Sequence, residues 1–488
     1  MWFTICVICL VVYLLCSAWF LAGSLIQIHL LWHARGKKSA FVPSSNFSLP
    51  HVTIQVPVYN ERYVVTRLLG MLGDLDYPKR LFDIQVLDDS TDETSKLIDE
   101  ASARLMTEGV AVSVIRRSNR NGYKAGALQS ALPLVKGELI AIFDADFNPA
   151  PDFLKRMVRH FEDPQLGGVQ GRWTHENLDQ NTLTVIQSFL LDSHFQLEQQ
   201  GRDAAGYFLN FNGTAGMWRK KCIVESGGWN GDVLTEDLEL SYRAQLAGWT
   251  FRYDNETTVP AELPADVDAF KAQQFRWAKG MAQTAAKHLR QVLLSRARFS
   301  KKVHAFFHLL GSLSFVAITG NIFLALPINA GRHFIPEFSD LSAILLFTGI
   351  TLPLVCVYYY FGTSPGLSRS NFWKYLPMFL IIYMALSIQN SIAVIQGLAK
   401  HKSPFIRTPK TRGTVSNANA YTKSSWTAVN TFEAGVCVYI VIAMSLSVVW
   451  EDYLLLLFLA MVLTGQLLLL SKAFTAIWRN RQQVVVAN

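Results

Sequence analysis

Three acidic clusters and one basic–aromatic stretch could do chemistry in this sequence. Asp88-Asp89 follows the apolar run 83–87, and Asp144-Ala145-Asp146 follows the apolar run 138–143. Thr235-Glu236-Asp237 opens a helical pattern that continues from Leu238 to Ala247. Gln273-Gln274-Phe275-Arg276-Trp277 stands just before the chain turns strongly apolar. Two carboxylates in Asp-x-Asp spacing suit a hard divalent cation, Mg2+ or Mn2+, bridged to substrate phosphates, so a nucleotide diphosphate fits them. An acid that stays ionised beside an acceptor hydroxyl can act as a general base. Arg276 offers a fixed fork of donors to a departing phosphate, and Trp277 an aromatic face to a sugar ring. Asn119 to Lys124 precedes a small-residue helix from Ala125, and a helix N-terminus with a lysine suits a phosphate. Each feature also has a plain structural use. Asp-x-Asp makes turns, Ser, Thr and Asp cap helices, acids favour a first helical turn, and Trp anchors an amphipathic helix at a membrane surface.

The elements that must position these groups are legible as alternating strand and helix patterns between His51 and Pro260. Strands are expected at 52–57, 83–87, 111–115 and 138–143, with helices at 60–73, 94–106 and 123–132. Repeated β–α units argue for a parallel sheet covered on both faces. In such sheets ligands bind outside the carboxyl ends of the strands. Both Asp88-Asp89 and Asp144–Asp146 follow strand carboxyl ends, so they are expected to line one crevice.

The 488 residues carry a net charge of +8, and half are hydrophobic. Mean hydropathy is +0.21. The apolar residues concentrate before His33 and after Lys302. Many basic residues flank apolar runs, which favours a membrane partner over nucleic acid. The six cysteines show no metal spacing beside histidines. Residues 2–32 are long enough to span a bilayer, and Arg35, Lys37 and Lys38 follow them. The positive-inside rule puts the N-terminus outside and residues 33–265 in the cytoplasm. Residues 266–302 read as interfacial helices. Spans are expected at 303–327, 341–361, 431–449 and 452–473, with 474–488 as a cytoplasmic tail. Residues 373–397 either span or lie flat. If they span, Lys400, Lys402, Arg407, Lys410, Arg412 and Lys423 fall outside, against the rule. If they lie flat, the 398–430 loop is cytoplasmic. Polar Ser387, Gln389, Asn390 and Ser391 also favour the flat placement.

Taken together, the motifs resemble those of the membrane-embedded family 2 glycosyltransferases, the group of cellulose, hyaluronan and chitin synthases. The similarity is nearest to the cellulose-synthase-like mannan and glucan backbone synthases. It rests on 85–92 (QVLDDSTD), 121–128 (NGYKAGAL), 141–147 (AIFDADF), 211–216 (FNGTAG), 227–229 (GGW) and Gln273-x-x-Arg276-Trp277. Phe405, Thr408 and Lys410 resemble a gating-loop motif, with Arg407 where that motif has Val. The resemblance implies an α/β GT-A (Rossmann-like) cytoplasmic domain and an α-helical transmembrane domain. It implies donor contacts from Asn60, Glu61, Asp88, Asp89, Lys124, Asp144, Gln273 and Arg276, and Mg2+ or Mn2+ on Asp144 and Asp146. It implies acceptor contacts from Phe211, Asn212, Gly213, Thr214, Glu236 and Trp277, with Asp237 as catalytic base. The expected activity is inverting, processive polymerisation of a β-linked, β-1,4 glucan or mannan from UDP-glucose or GDP-mannose, with export of the growing glycan chain. Lipid surrounds the protein, in a bacterial plasma membrane or a Golgi membrane. The alternatives are a non-processive lipid glycosyltransferase of the ceramide glucosyltransferase kind, and a membrane scaffold or transporter with a decayed transferase domain. Every expected acid is present, which counts against decay.

Overall fold

The computed structural model describes residues 1–36, 47–363, 367–401 and 426–486. The gating-motif residues Phe405, Thr408 and Lys410 lie outside them. The central sheet holds β1 (Val52–Val58), β2 (Phe82–Asp88), β3 (Ala111–Arg116), β4 (Leu139–Ile142), β5 (Leu166–His175), β6 (Gly216–Arg219) and β7 (Thr250–Ala261). Their spatial order is β3-β2-β1-β4-β6-β5-β7. The four expected strands, β1–β4, pair in parallel as expected; the whole sheet is mixed, because β6 runs antiparallel to both β4 and β5. That reversal has a use. The loop entering β6 sits at the carboxyl edge of the parallel strands, where Ala215 N–H donates to the Ile142 carbonyl at 2.9 Å.

Alternation along the strands decides which face each residue serves. Val52, Ile54 and Val56 of β1 pack with Leu68, Leu69 and Leu72 in one core layer. The intervening Thr53 and Gln55 are buried too, and both find partners in register on β2. Thr53 Oγ1 donates to Asp83 at 2.8 Å, and Gln55 Nε2 to Gln85 Oε1 at 3.0 Å. Buried polar groups are tolerable only when paired in this way. They hold β1 to β2 in a single register, and β1 is flanked on its other side by β4. The second core layer joins Leu87, Ile140 and Ile142 to Leu128, Phe211 and Trp218.

The helices used below are α1 (Trp2–Arg35), α2 (Tyr123–Ala131), α3 (Glu236–Leu246), α4 (Val267–Leu294), α5 (Phe299–Leu309), α6 (Leu313–Phe334), α7 (Arg369–Ala385), α8 (Ser387–Leu398), α9 (Ala428–Val449) and α10 (Leu456–Val486). Among the described residues α1, α6, Pro336–Gly362 and α9 are long and apolar enough to cross a membrane, and Leu456–Lys472 is a shorter apolar helix. The run 303–327, expected as one span, is divided. α5 carries Lys301, Lys302, His304 and His308, and a break separates it from the apolar α6. The run 373–397 is two helices, α7 and α8, bent by 45°. Both ends of this pair lie on the side of the helical bundle next to the sheet. Arg369 donates to the Tyr360 carbonyl at 2.8 Å, and a Cβ on Gly397 would stand 2.6 Å from the Lys279 carbonyl. The opposite side of the bundle gathers Phe3 against Phe338 and Arg332 against Asp452. The polar side chains of α8 point into protein. Gln389 donates to the Lys271 carbonyl at 2.9 Å, and Ser391 pairs with Thr319 at 2.9 Å.

Candidate active site

Lys124 is the hub of the crevice. It lies in the first turn of α2, behind Gly122 at φ 71°, a backbone that glycine adopts without strain. Lys124 Nζ donates to Asp144 Oδ1 at 2.5 Å and to the Gly213 carbonyl at 2.9 Å. Asp144 N–H in turn donates to Thr214 Oγ1 at 2.9 Å. Gly213, at φ 84°, lies against Asp237: a Cβ there would be 2.9 Å from Asp237 Oδ2 and 3.5 Å from Lys124 Nζ. Asp144, Lys124, Gly213, Thr214 and Asp237 therefore form one contact group, drawn from four separate sequence motifs.

Electrostatics link this group to Arg276. Burial pushes the Glu236 carboxyl up to about 7, with Asp237 adding to the rise and Lys124 and Arg276 opposing it. Burial raises the Asp237 carboxyl as well, against the Leu238 N–H, Lys124 and Arg276. Two neighbouring acids of this kind titrate as a pair. Burial alone would lower Lys124, but Asp144, Glu236 and Asp237 outweigh it and raise the ammonium. Burial lowers the Arg276 guanidinium, with Glu236, Asp237 and Asp144 working against that shift. Arg276 thus faces the same three carboxylates as Lys124. Gln273, Arg276 and Trp277 share a face of α4 by their three- and four-residue spacing, and all are half-buried.

Glu236 and Asp237 do stand in the first turn of α3, where Asp237 accepts the Leu238 N–H at 2.8 Å, but the expected threonine cap is not formed. Thr235 makes no side-chain cap on α3; its hydroxyl pairs with Thr284 of α4 at 3.3 Å. Leu234 N–H donates to Gln283 at 2.9 Å, and a Cβ on Gly280 would be 2.5 Å from Thr235. Buried Glu239 completes the clamp, meeting Arg243 at 2.7 Å, His288 at 2.8 Å and Lys287 at 3.0 Å. These contacts set α4, and with it Arg276, against the start of α3.

The other expected site residues have surroundings of their own. Asp88 was expected at the donor, yet its side chain has no exposed surface and is bound by Arg116 at 2.8 Å and the Ser90 N–H at 3.0 Å. Burial raises its carboxyl, Arg116 and Ser90 more than offset this, and the net shift is downward. Asp89 is held two-pronged by Arg117, which also donates to the carbonyls of Asn121 and Tyr123. Phe211 is buried edge-on against Trp218, so its ring lies in the core beneath the crevice. Asn60 bonds Ser90 and Thr91 at φ 55°, joining the ends of β1 and β2, with Glu61 next to it. Asn212 contacts Gln199 at 2.7 Å and His194 at 3.1 Å. Asp146 is buried next to half-exposed Asp144.

Sequence reasoning missed Arg117, the strut that ties Asp89 to the turn carrying Lys124. Its only signal is position, as the second arginine at the end of β3. It also missed Glu239, which a reader of helical spacing finds one turn after Glu236. Among the described residues no three His, Cys, Asp or Glu side chains come close enough to hold a metal ion. As a pair of carboxylates, Asp144 and Asp146 would suit a hard divalent ion.

Residues 50–280 match the family model described as Glycosyltransferase like family 2. Glucomannan 4-beta-mannosyltransferase 2 of Arabidopsis thaliana is 39% identical over 316 residues, which are 62% of this chain and 59% of that one. Glucomannan 4-beta-mannosyltransferase 7 of the same plant is 42% identical over 259 residues, covering 52% and 47%. The chain thus spans about half the length of the curated relatives it matches. A solved mannosyltransferase from Pyrobaculum calidifontis, in complex with GDP-Man and Mn2+, is similar in fold at a TM-score of 0.57 and 21% identity, covering 81% of this chain and 100% of that one. Sheet and comparisons agree: over residues 50–280 the chain carries a GT-A-like glycosyltransferase domain of family 2.

Proposed function

We propose that this protein is an inverting mannosyltransferase that extends a β-linked, β-1,4 mannan-type backbone from GDP-mannose. The observation that carries this reading is the contact of Gly213 with both Asp237 and Lys124, which sets a half-buried acid beside the cation that binds Asp144. Asp237 accepts the proton of an acceptor hydroxyl, whose oxygen attacks the anomeric carbon. The bond from that carbon to the nucleotide diphosphate breaks, and the charge left on the diphosphate is met by Lys124 and Arg276. Attack from the opposite side inverts the anomeric centre, so the product is β-linked. Asp144 and Asp146 would hold a Mg2+ or Mn2+ ion, which supplies further stabilisation of diphosphate charge. Trp277 and the backbone of Asn212–Thr214 border the acceptor.

The names of the relatives support mannose as the transferred sugar. Four long apolar helices support a multi-pass membrane protein, and the placement of both ends of the α7–α8 pair supports an interfacial segment on the domain side. The test is transfer from labelled GDP-mannose, with UDP-glucose and GDP-glucose alongside, by membranes that carry the protein. We expect polymer from GDP-mannose that an endo-β-mannanase degrades, lost in Asp237→Asn. Label that extracts with lipid as a single sugar overturns the polymerase reading. Label that survives Asp237→Asn overturns the base.

A further inference from the structure

We infer that the turn between α4 and α5 is a docking patch for anionic phospholipid, formed by an apolar wedge interleaved with arginines. Six large apolar side chains stand exposed between residues 50 and 300: Met106, Leu134, Val224, Leu293, Leu294 and Phe299. Half of them fall in one seven-residue stretch, with Leu294 73% and Phe299 82% exposed. Scattered exposed apolar groups are ordinary, but a cluster marks a contact surface. Arg290, Arg296 and Arg298, interleaved with these residues along the chain, are exposed, and Lys302 follows. The sequence has no Asp or Glu from Ala269 to Pro336. The acids that approach from α3 and its leading loop, Glu239 and Asp232, are taken by Lys287, with Arg243 and His288 also on Glu239. The arginine charges thus meet no acid among the described residues. Exposed leucine and phenylalanine interleaved with arginine match acyl chains below and acidic headgroups above.

Packing sets the depth of the patch. α5 runs alongside α1, with His304 Nε2 3.0 Å from His29 Nδ1 and Phe307 stacked on Trp19 at 4.9 Å. Trp19 also donates to Ser314 Oγ at 3.1 Å. The C-terminal end of α5 therefore lies against the apolar middle of α1. Its N-terminal end, at Phe299, points toward the end of α1 that finishes in His33 and Arg35, which is headgroup level. This inference rests on the membrane placement proposed above. It adds a lipid class and the residues that recognise it.

The test uses the full chain, one copy per nanodisc, in phosphatidylcholine alone or with added phosphatidylglycerol. Phe299→Cys is labelled with a membrane-impermeant maleimide; the natural cysteines are buried or half-buried. Phosphatidylglycerol should slow labelling at least about tenfold, and Arg290→Gln/Arg296→Gln/Arg298→Gln should abolish that difference. The same triple variant should also retain less phosphatidylglycerol through detergent purification. Equal labelling rates in the two discs, with the protein still incorporated, overturn the patch alone. A chain that remains in the aqueous fraction overturns the membrane placement and the patch with it.

Discussion

Glu236 and Asp237 are adjacent, half-buried acids, and that fixes how the site answers to pH. Both carboxyls are raised by burial, Glu236 to about 7, while Lys124 and Arg276 pull the pair back toward ionisation. A base must be ionised to work, so transfer should fall as pH drops through the raised titration of the pair. It should fail at a pH well above that of an ordinary carboxylate. Lys124→Met removes a cation that favours the ionised pair. The acid limb of the kcat profile should then move to higher pH, on top of a loss of roughly 10²-fold or more from the leaving group. A Lys124→Met profile whose acid limb stays in place would disprove the coupling. Asp237→Asn should cost about 10²–10⁴-fold in kcat while donor binding, read by calorimetry, is kept. Gly213→Ala tests the contact itself. At φ 84° an alanine costs roughly 1–2 kcal/mol, and its Cβ would press on Asp237 Oδ2. We expect a folded protein by circular dichroism with kcat reduced about tenfold or more.

At the scale of elements, the site depends on how α4 is held between the sheet domain and the apolar helices. On one side it is clamped to α3 through Thr284, Gln283 and Glu239's partners. On the other, Lys271 meets Glu433 of α9 at 2.8 and 3.0 Å, and both side chains are buried. Two buried charges tolerate each other only as a pair, and an apolar pair of like volume can replace them at little cost. Lys271→Met alone should therefore destabilise by about 3–5 kcal/mol, while Lys271→Met/Glu433→Leu should restore most of the loss. Melting followed by tryptophan fluorescence in detergent reads both; equal losses in the single and double variants would show that the ion pair contributes nothing. None of this was legible in the sequence, because Lys271 and Glu433 are 162 residues apart and neither sits in a motif. What local pattern could reach, it reached: strands 52–57, 83–87 and 111–115 fall within β1, β2 and β3. The reversal of β6 was not reachable, since a four-residue strand carries no sign of its direction. Asp88 and Asp89 were expected at the nucleotide, with capping of the next helix as the plain alternative. Their pairing with Arg116 and Arg117, brought over by β3, is a long-range contact that the sequence does not announce.

For the whole molecule, the two sides of the helical bundle can be assigned from contacts alone. Phe3, Phe338, Arg332 and Asp452 lie together away from the sheet. Arg35, which stacks on Phe361 at 3.7 Å, lies near it, as do Arg369 and Gly397. Tracing the chain between these sides, α1 runs toward the domain, α6 away from it, Pro336–Gly362 back, α9 away and α10 back. The α7–α8 pair begins and ends beside contacts on the domain side. Charge counting along the sequence leads to the same parity by a separate route, since it keeps the basic stretch after Lys400 on the cytoplasmic side. Neither route could see the 45° bend, because the break after Ala385 falls inside a continuous apolar run. The prediction is a labelling pattern in sealed, right-side-out vesicles. Cysteines replacing Asp340 and Glu451 should react with an impermeant maleimide added outside. A cysteine replacing Lys400 should react only after the vesicles are opened. Outside labelling at Lys400→Cys would make the α7–α8 pair a true span. The acidic Trp450–Asp452 turn and the basic segment would then exchange sides, and a glycan made at the domain would face a different route through the bundle.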